Sequence, residues 1–220
     1  MNHPKIIIVI GPPGSGKGTQ ADLLIKKFKL RYLGSGSLLR ARAKKRDFTG
    51  KKIDSYLSKG FRMSTPVIFK MWMDKFESFK NDPKFKGFVF DGSPRTLSEA
   101  ELLEEALKWY GWGRDMKFFF IDISEKEAIN RLTKRRICSE CKKIIPYLDG
   151  FKNLKKCDRC GGKLKKRADD TMAGIKERLH WFKLEVRPAI DFYKKKKGFY
   201  RIDGKQSIEE TFKDILKGLK

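Results

Sequence analysis

Five short apolar runs alternate along the chain with longer stretches in which apolar residues recur every three or four positions. The runs, Lys5–Ile10, Arg31–Gly34, Gly87–Phe90, Lys117–Ile123 and Phe199–Asp203, predict strands. The intervening stretches predict helices over Thr19–Phe28, Pro66–Phe79, Leu97–Trp109, Lys126–Arg135, Met172–Val186 and Ser207–Leu216. Pro188 suits the first turn of a separate helix holding Asp191-Phe192-Tyr193, since a proline there loses no helical hydrogen bond. Strand–helix alternation of this kind predicts an α/β fold, with a mostly parallel sheet joined by right-handed crossovers. No internal repeat is visible.

The periodicity fails between Leu132 and Asp169, where Gly, Pro, Lys and all four cysteines replace it; this segment is an insertion. Cys138-Ser-Glu-Cys141 and Cys157-Asp-Arg-Cys160 are separated by fifteen residues, a spacing at which two tight turns present four thiolates to one tetrahedral metal. Gly161 and Gly162 suit the second turn. Four thiolates close a zinc site to water and substrate, so the expected role is structural: the metal stabilises a module too small to bury a core. An iron site or a redox pair are the rival readings.

The run before Gly11 leads into Gly11-Pro-Pro-Gly-Ser-Gly-Lys17-Gly-Thr19, a strand, glycine loop and helix start. Backbone N–H groups of such a loop converge on phosphate oxygens, and Lys17 adds a mobile charge. Gly18 stands where a Ser or Thr usually follows the lysine; the hydroxyl arrives one residue later, at Thr19. After the third strand comes Asp91-Gly-Ser-Pro-Arg95. It places a carboxylate at a strand's carboxyl end, where open α/β sheets bind ligands, and a guanidinium fork suited to a phosphate. Asp91 suits a magnesium-bound water.

Composition permits one domain with appendages: 220 residues, 40% of them hydrophobic. No apolar run approaches the roughly 20 residues of a membrane span, and the N-terminus lacks a signal-peptide pattern, which favours the cytoplasm. Charge is the unusual feature, with 52 Lys+Arg against 27 Asp+Glu and a formal +25. From Thr133 to Arg167 there are thirteen Lys/Arg and three Asp/Glu. A basic flap beside a phosphate loop can close over nucleotide phosphates and expel water. The rival is a zinc ribbon gripping RNA, or a polyanion surface generally. Scattered lysines favour solvated faces, and interruption of a nucleotide-binding sheet favours a lid.

These residues together resemble the adenylate kinases, in the long form of the nucleoside monophosphate kinases that carries a zinc-binding lid. The resemblance spans nearly the whole chain. It rests on Gly11–Thr19, Leu33-Gly-Ser-Gly-Ser-Leu-Leu-Arg40, Phe90-Asp-Gly-Ser-Pro-Arg-Thr-Leu97, Arg131-Leu-Thr-Lys-Arg135, Arg167-Ala-Asp-Asp170 and Arg178. It implies a P-loop NTPase-type parallel five-stranded sheet flanked by helices. The implied core is 1–34, 66–132 and 171–220, with a small helical NMP-binding segment at 35–65 and a zinc-binding lid at 133–170. The implied activity is reversible transfer of the γ-phosphoryl group of Mg-ATP to AMP, giving two ADP, by a monomer. Implied catalytic residues are Lys17, Asp91, Arg95, Arg135, Arg167 and Arg178. The ATP site takes in Gly14, Ser15, Gly16, Lys17, Gly18, Thr19, Arg131, Arg135 and Gln206. The acceptor site takes in Ser35, Gly36, Arg40, Gly92, Arg95, Glu99, Arg167 and Arg178. Asp169 and Asp170 would tether arginines of the closed lid, and Cys138, Cys141, Cys157 and Cys160 would bind Zn2+.

Several positions depart from that pattern. Glu99 replaces a glutamine that reads the acceptor adenine, and an ionised carboxylate accepts hydrogen bonds but donates none. That leaves GMP or CMP as alternative acceptors. Ser35 replaces threonine, Ser37 an aspartate, Ser93 a bulky aromatic, and Lys205-Gln206 the usual Thr-Lys near the donor adenine. A different-class alternative is a non-enzymatic, basic, zinc-bearing nucleic-acid-binding protein that uses nucleotide as a switch.

Overall fold

The computed structural model describes residues 5–59, 61–114, 116–167 and 170–220. Five strands, β1 (Lys5–Ile10), β2 (Arg31–Gly34), β3 (Gly87–Asp91), β4 (Lys117–Asp122) and β8 (Phe199–Asp203), form one parallel sheet in the order β2-β3-β1-β4-β8. Each lies where the apolar runs predict it. The central strands β1, β3 and β4 are buried on both faces and need apolar side chains nearly throughout, which is why they read as continuous runs; the edge strands β2 and β8 are buried only in part.

Successive side chains of a strand point to opposite faces, and β1 divides accordingly. Ile6, Ile8 and Ile10 join Phe88, Phe90, Phe118 and Phe120 in one core beneath α4 (Thr65–Lys80), α5 (Leu97–Trp109) and α8 (Arg187–Lys194). Ile7 and Val9 face the other way, with Val89, Phe119 and Ile121, against α1 (Lys17–Phe28) and α9 (Ile208–Lys217). A smaller cluster of Ala128, Leu132, Ile175 and Leu179 packs α6 (Glu125–Lys134) on α7 (Met172–Trp181) at the base of the insertion. No helix among the described residues is long and apolar enough to cross a membrane.

Two additions leave this body. After β2 the chain forms α2 (Ser35–Ala43) and α3 (Phe48–Ser58), neither of which the periodicity singles out. After α6 come β5 (Arg136–Cys138), β6 (Ile144–Ile145), a 3-10 turn at Asp149–Asn153 and β7 (Leu164–Lys166). The three strands form an antiparallel sheet in the order β6-β5-β7. The helix expected over Met172–Val186 changes winding after Trp181: a π-turn at Phe182–Val186 leads without a break into α8. Pro188 has no N–H and its ring crowds the carbonyl four residues back, so α-winding cannot pass through it unaltered. The wider turn absorbs that defect, and the Arg187 N–H reaches the Phe182 carbonyl five residues back.

Candidate active site

The site begins at the carboxyl end of β1. Gly11 is required there because a Cβ would lie 2.4 Å from the Ile121 carbonyl oxygen. Gly16 turns the chain into α1 at φ 90°, a conformation that favours glycine. Among the described residues no side chain caps this helix, and no acidic residue occupies its first turn, so its leading N–H groups and dipole are available to an anion. Gly14, Ser15, Gly16, Lys17, Gly18 and Thr19 line a cavity of about 350 Å³. Asp91, Arg131 and Arg135 line it too, as do residues 141–144 and 146–148 of the insertion. Gln206 is absent from that lining; its Nε2 donates to Asp214 Oδ2 over 3.0 Å.

Lys17 extends from the loop towards Gly92, in the turn after β3. Its Nζ donates to the Pro12 carbonyl over 3.3 Å, and its Cε lies 3.4 Å from where a Cβ on Gly92 would be. Burial lowers its pKa from 10.5 to about 8; Asp91 opposes that shift, while the cations Arg95, Arg135 and Arg178 reinforce it. Residues separated by up to 161 positions therefore act on one ammonium. Around it, Arg95 Nε donates to the Gly92 carbonyl over 3.0 Å. Arg135 grips Asp170 with two hydrogen bonds of 2.7 Å, and Arg178 donates to the same carboxylate over 2.6 Å. Burial would raise the Asp170 carboxyl, but the two guanidiniums prevail and hold it below the ordinary range. Asp169 lies outside the described residues, and Arg167 lies at the same edge of the insertion, its carbonyl accepting from the Asp170 N–H over 3.1 Å.

Several buried polar atoms have no hydrogen-bond partner among the described residues: Ser15 Oγ, Gln20 Oε1, Asp91 Oδ1 and Arg131 Nη2. Leaving such groups unpaired is costly, and the three residues other than Asp91 sit on the glycine loop, its helix and α6. The other Asp91 oxygen, Oδ2, accepts from the Tyr32 hydroxyl over 3.0 Å. Burial first, then Asp91, hold that phenol well above its ordinary pKa, so it stays a donor. One anchored and one orphaned oxygen on Asp91 fit a water of a nucleotide-bound magnesium.

In the segment expected to hold the acceptor, the Ser35 and Ser93 hydroxyls meet at 2.5 Å, and Trp72 donates its indole N–H to Ser35 Oγ over 3.1 Å. Gly36 and Arg40 follow in α2, with an Arg40 guanidinium nitrogen 3.2 Å from where a Gly36 Cβ would be. Glu99 is buried, its Oε2 accepting from the Arg95 N–H over 2.6 Å. Burial raises its pKa; the Arg95 N–H and the charges of Arg95 and Arg62 oppose, and Glu185 adds to the rise. Sequence reasoning missed Gln20, Tyr32 and Trp72, because each acquires its role from a partner far along the chain.

The four cysteine sulfurs all lie within 4.8 Å of one another, with Cys138–Cys160 and Cys141–Cys157 at 3.5 and 3.6 Å. Sulfurs around a tetrahedral zinc at about 2.3 Å per bond stand about 3.8 Å apart, so the set is compatible with zinc. The insertion also reaches the body: Lys143 and Arg159 oppose the upward push that burial and Asp91 give Asp22 of α1.

The adenylate kinase family model matches residues 9–198. An adenylate kinase of Chlamydia trachomatis serovar L2 is 34% identical, over 98% of this chain and 90% of its own length. Those of Caldicellulosiruptor bescii and a Thermoanaerobacter species are 34% and 35% identical over 97% of this chain, and over 98% and 97% of theirs. With this fold, this phosphate loop and relatives matched from end to end, the chain belongs to the adenylate kinase family.

Proposed function

We propose that the chain transfers the γ-phosphoryl group of Mg-ATP reversibly to AMP, giving two ADP, with the residues above in distinct roles. The observation that carries this division is the convergence of Arg95, Arg135 and Arg178 on Lys17, at the mouth of an uncapped helix. An AMP phosphate oxygen attacks the γ-phosphorus in line, and the bond to the oxygen bridging the β- and γ-phosphorus breaks. Negative charge shifts on the moving group and its neighbours, with no covalent enzyme intermediate, so positioned cations and backbone donors supply the catalysis.

The loop from Gly14 to Thr19, with Arg131 and Arg135, holds the ATP phosphates and nucleoside. Arg40 and Arg95 hold the acceptor phosphate; Arg167 and Arg178 approach the transferring group from the far side. Magnesium bound with ATP neutralises phosphate charge, and Asp91 would hold one of its waters. The segments 35–65 and 133–170 close on their respective nucleotides and exclude water. Zinc is our assignment for the four cysteines, where it would cross-link the two cysteine turns and take no part in transfer.

A coupled assay with ATP and each of AMP, GMP, CMP and UMP tests the reading. ADP formation with AMP, above the ATP-only control, is expected; no ADP with any acceptor overturns it. A preference for GMP or CMP would correct the acceptor and locate the cause at Glu99.

A further inference from the structure

Asp149 belongs to none of the residue sets above. It opens the 3-10 turn of the insertion at φ 45°, a left-handed conformation that aspartate and asparagine tolerate better than most residues. Its Oδ2 accepts a hydrogen bond of 2.9 Å from the backbone N–H of Ile208, the first residue of α9. The Ile208 carbonyl in turn accepts from Gln20 Nε2, in the phosphate-loop helix, over 3.0 Å. One residue thus joins the insertion, α9 and α1.

Helix α9 does not depend on Asp149 for its own start. Ser207 and Glu210 form a reciprocal capping box, Ser207 Oγ accepting from the Glu210 N–H over 3.2 Å and Glu210 Oε2 from the Ser207 N–H over 3.1 Å. That box leaves the Ile208 N–H open, and Asp149 takes it. Glu209 and Glu210 already place two carboxylates in this turn, so a third charge adds little and the directed acceptor matters more. The chain just before Asp149 matters most: Pro146, Tyr147 and Leu148 line the nucleotide cavity on one side, and Gly204, Ile208 and Thr211 line it on the other.

We propose that Asp149 is a positioning residue for the donor nucleotide: by docking on the Ile208 N–H it latches the insertion to α9 and holds Pro146–Leu148 against the cavity. This rests on reading that cavity as the ATP site. The latch acts on one substrate. It predicts a change in ATP recognition with none in AMP recognition, which a general loss of stability would not produce.

The test uses the full-length, metal-loaded protein. Asp149→Ala should raise the ATP KM roughly three- to tenfold, the scale of one ordinary net hydrogen bond, with the AMP KM unchanged. Asp149→Asn keeps an acceptor oxygen and the left-handed turn, and should stay within about twofold of the unaltered protein. Ile208→Pro removes the donor instead. Ser207, at φ −59° and ψ 163°, already has the backbone that precedes proline, and the first helical position accepts one. Since Ile208 also lines the cavity, this variant can cost more than Asp149→Ala, but adding Asp149→Ala to it should raise the ATP KM no further. Amide exchange at Ile208 needs no turnover: slow with ATP in the unaltered protein, fast in Asp149→Ala. The latch is therefore measurable even if phosphoryl transfer is not observed. Unchanged ATP KM and unchanged Ile208 exchange in Asp149→Ala would overturn the proposal, as would equal rises in both KM values.

Discussion

Lys17 carries a consequence that can be signed. An unfolded lysine keeps its proton to about pH 10.4, whereas in the fold burial and three guanidiniums bring the pKa down to about 8. The cost of burying that charge applies in full below pH 8 and is relieved as pH rises towards the unfolded value, so this group's contribution to stability improves across that window. ATP phosphates favour the ammonium, so ATP binding should take up a proton near and above pH 8, and affinity should fall as pH climbs further. Calorimetry in two buffers of different ionisation enthalpy would show the uptake; Lys17→Met should abolish it and lower kcat about a hundredfold or more. Glu99 runs the other way. Its burial raises the pKa, and in the proposed acceptor site the neutral acid would donate to adenine N1 while accepting from the amino group, as glutamine does. The AMP KM should therefore rise with pH through the Glu99 pKa and stay flat in Glu99→Gln, a variant that keeps an acceptor for the Arg95 N–H. A pH-independent AMP KM in the unaltered protein would remove this account.

At the scale of elements, legibility follows burial. The central strands β1, β3 and β4 are readable because both faces of each are packed, so Ile6 through Ile10 show as one unbroken run, whereas the edge strands β2 and β8 are buried only in part. Helix α2 is not readable, since only Ser35 and Leu39 of its nine residues are buried and two arginines fill its last turn. The π-turn left a single trace in sequence, Pro188, which reads equally well as the start of a new helix. The site divides in the same way: loop glycines, Arg95 and the cysteines carry their chemistry in local spacing. Gln20, Trp72 and Asp149 depend on contacts across 188, 37 and 59 positions that no spacing encodes. Packing of α4 on the sheet gives a direct test. Phe76 is fully buried, 5.5 Å from the Phe88 ring and 5.9 Å from those of Tyr110 and Trp112. Phe76→Ala should cost about 3–5 kcal/mol in urea unfolding, without altering either KM at low temperature, since none of these rings lines the nucleotide cavity. A loss below about 1 kcal/mol would mean that the aromatic cluster repacks freely.

Across the whole molecule, stability is divided unevenly. The sheet lies between two large apolar clusters, whereas the described part of the insertion buries little beyond Cys138, Ile145 and Cys157. A module of that size buries little apolar surface to offset its conformational entropy, and the zinc proposed for the four cysteines would supply the missing cross-link between the two turns. Chelation should then unfold the insertion alone. The helical circular-dichroism signal of the body should persist, while the cover over the nucleotide cavity and the grip of Arg135 and Arg178 on Asp170 are lost together. Misplacing closing groups on this scale should lower kcat/KM for ATP roughly a hundredfold, and adding zinc back should restore it. The opposite outcome is equally clear: a metal-free protein with four titratable thiols, full activity and an unchanged melting curve would mean that the insertion folds without metal. The Ile208 amide distinguishes partial cases, because an insertion still docked through Asp149 keeps that N–H protected whether or not the cysteines hold an ion.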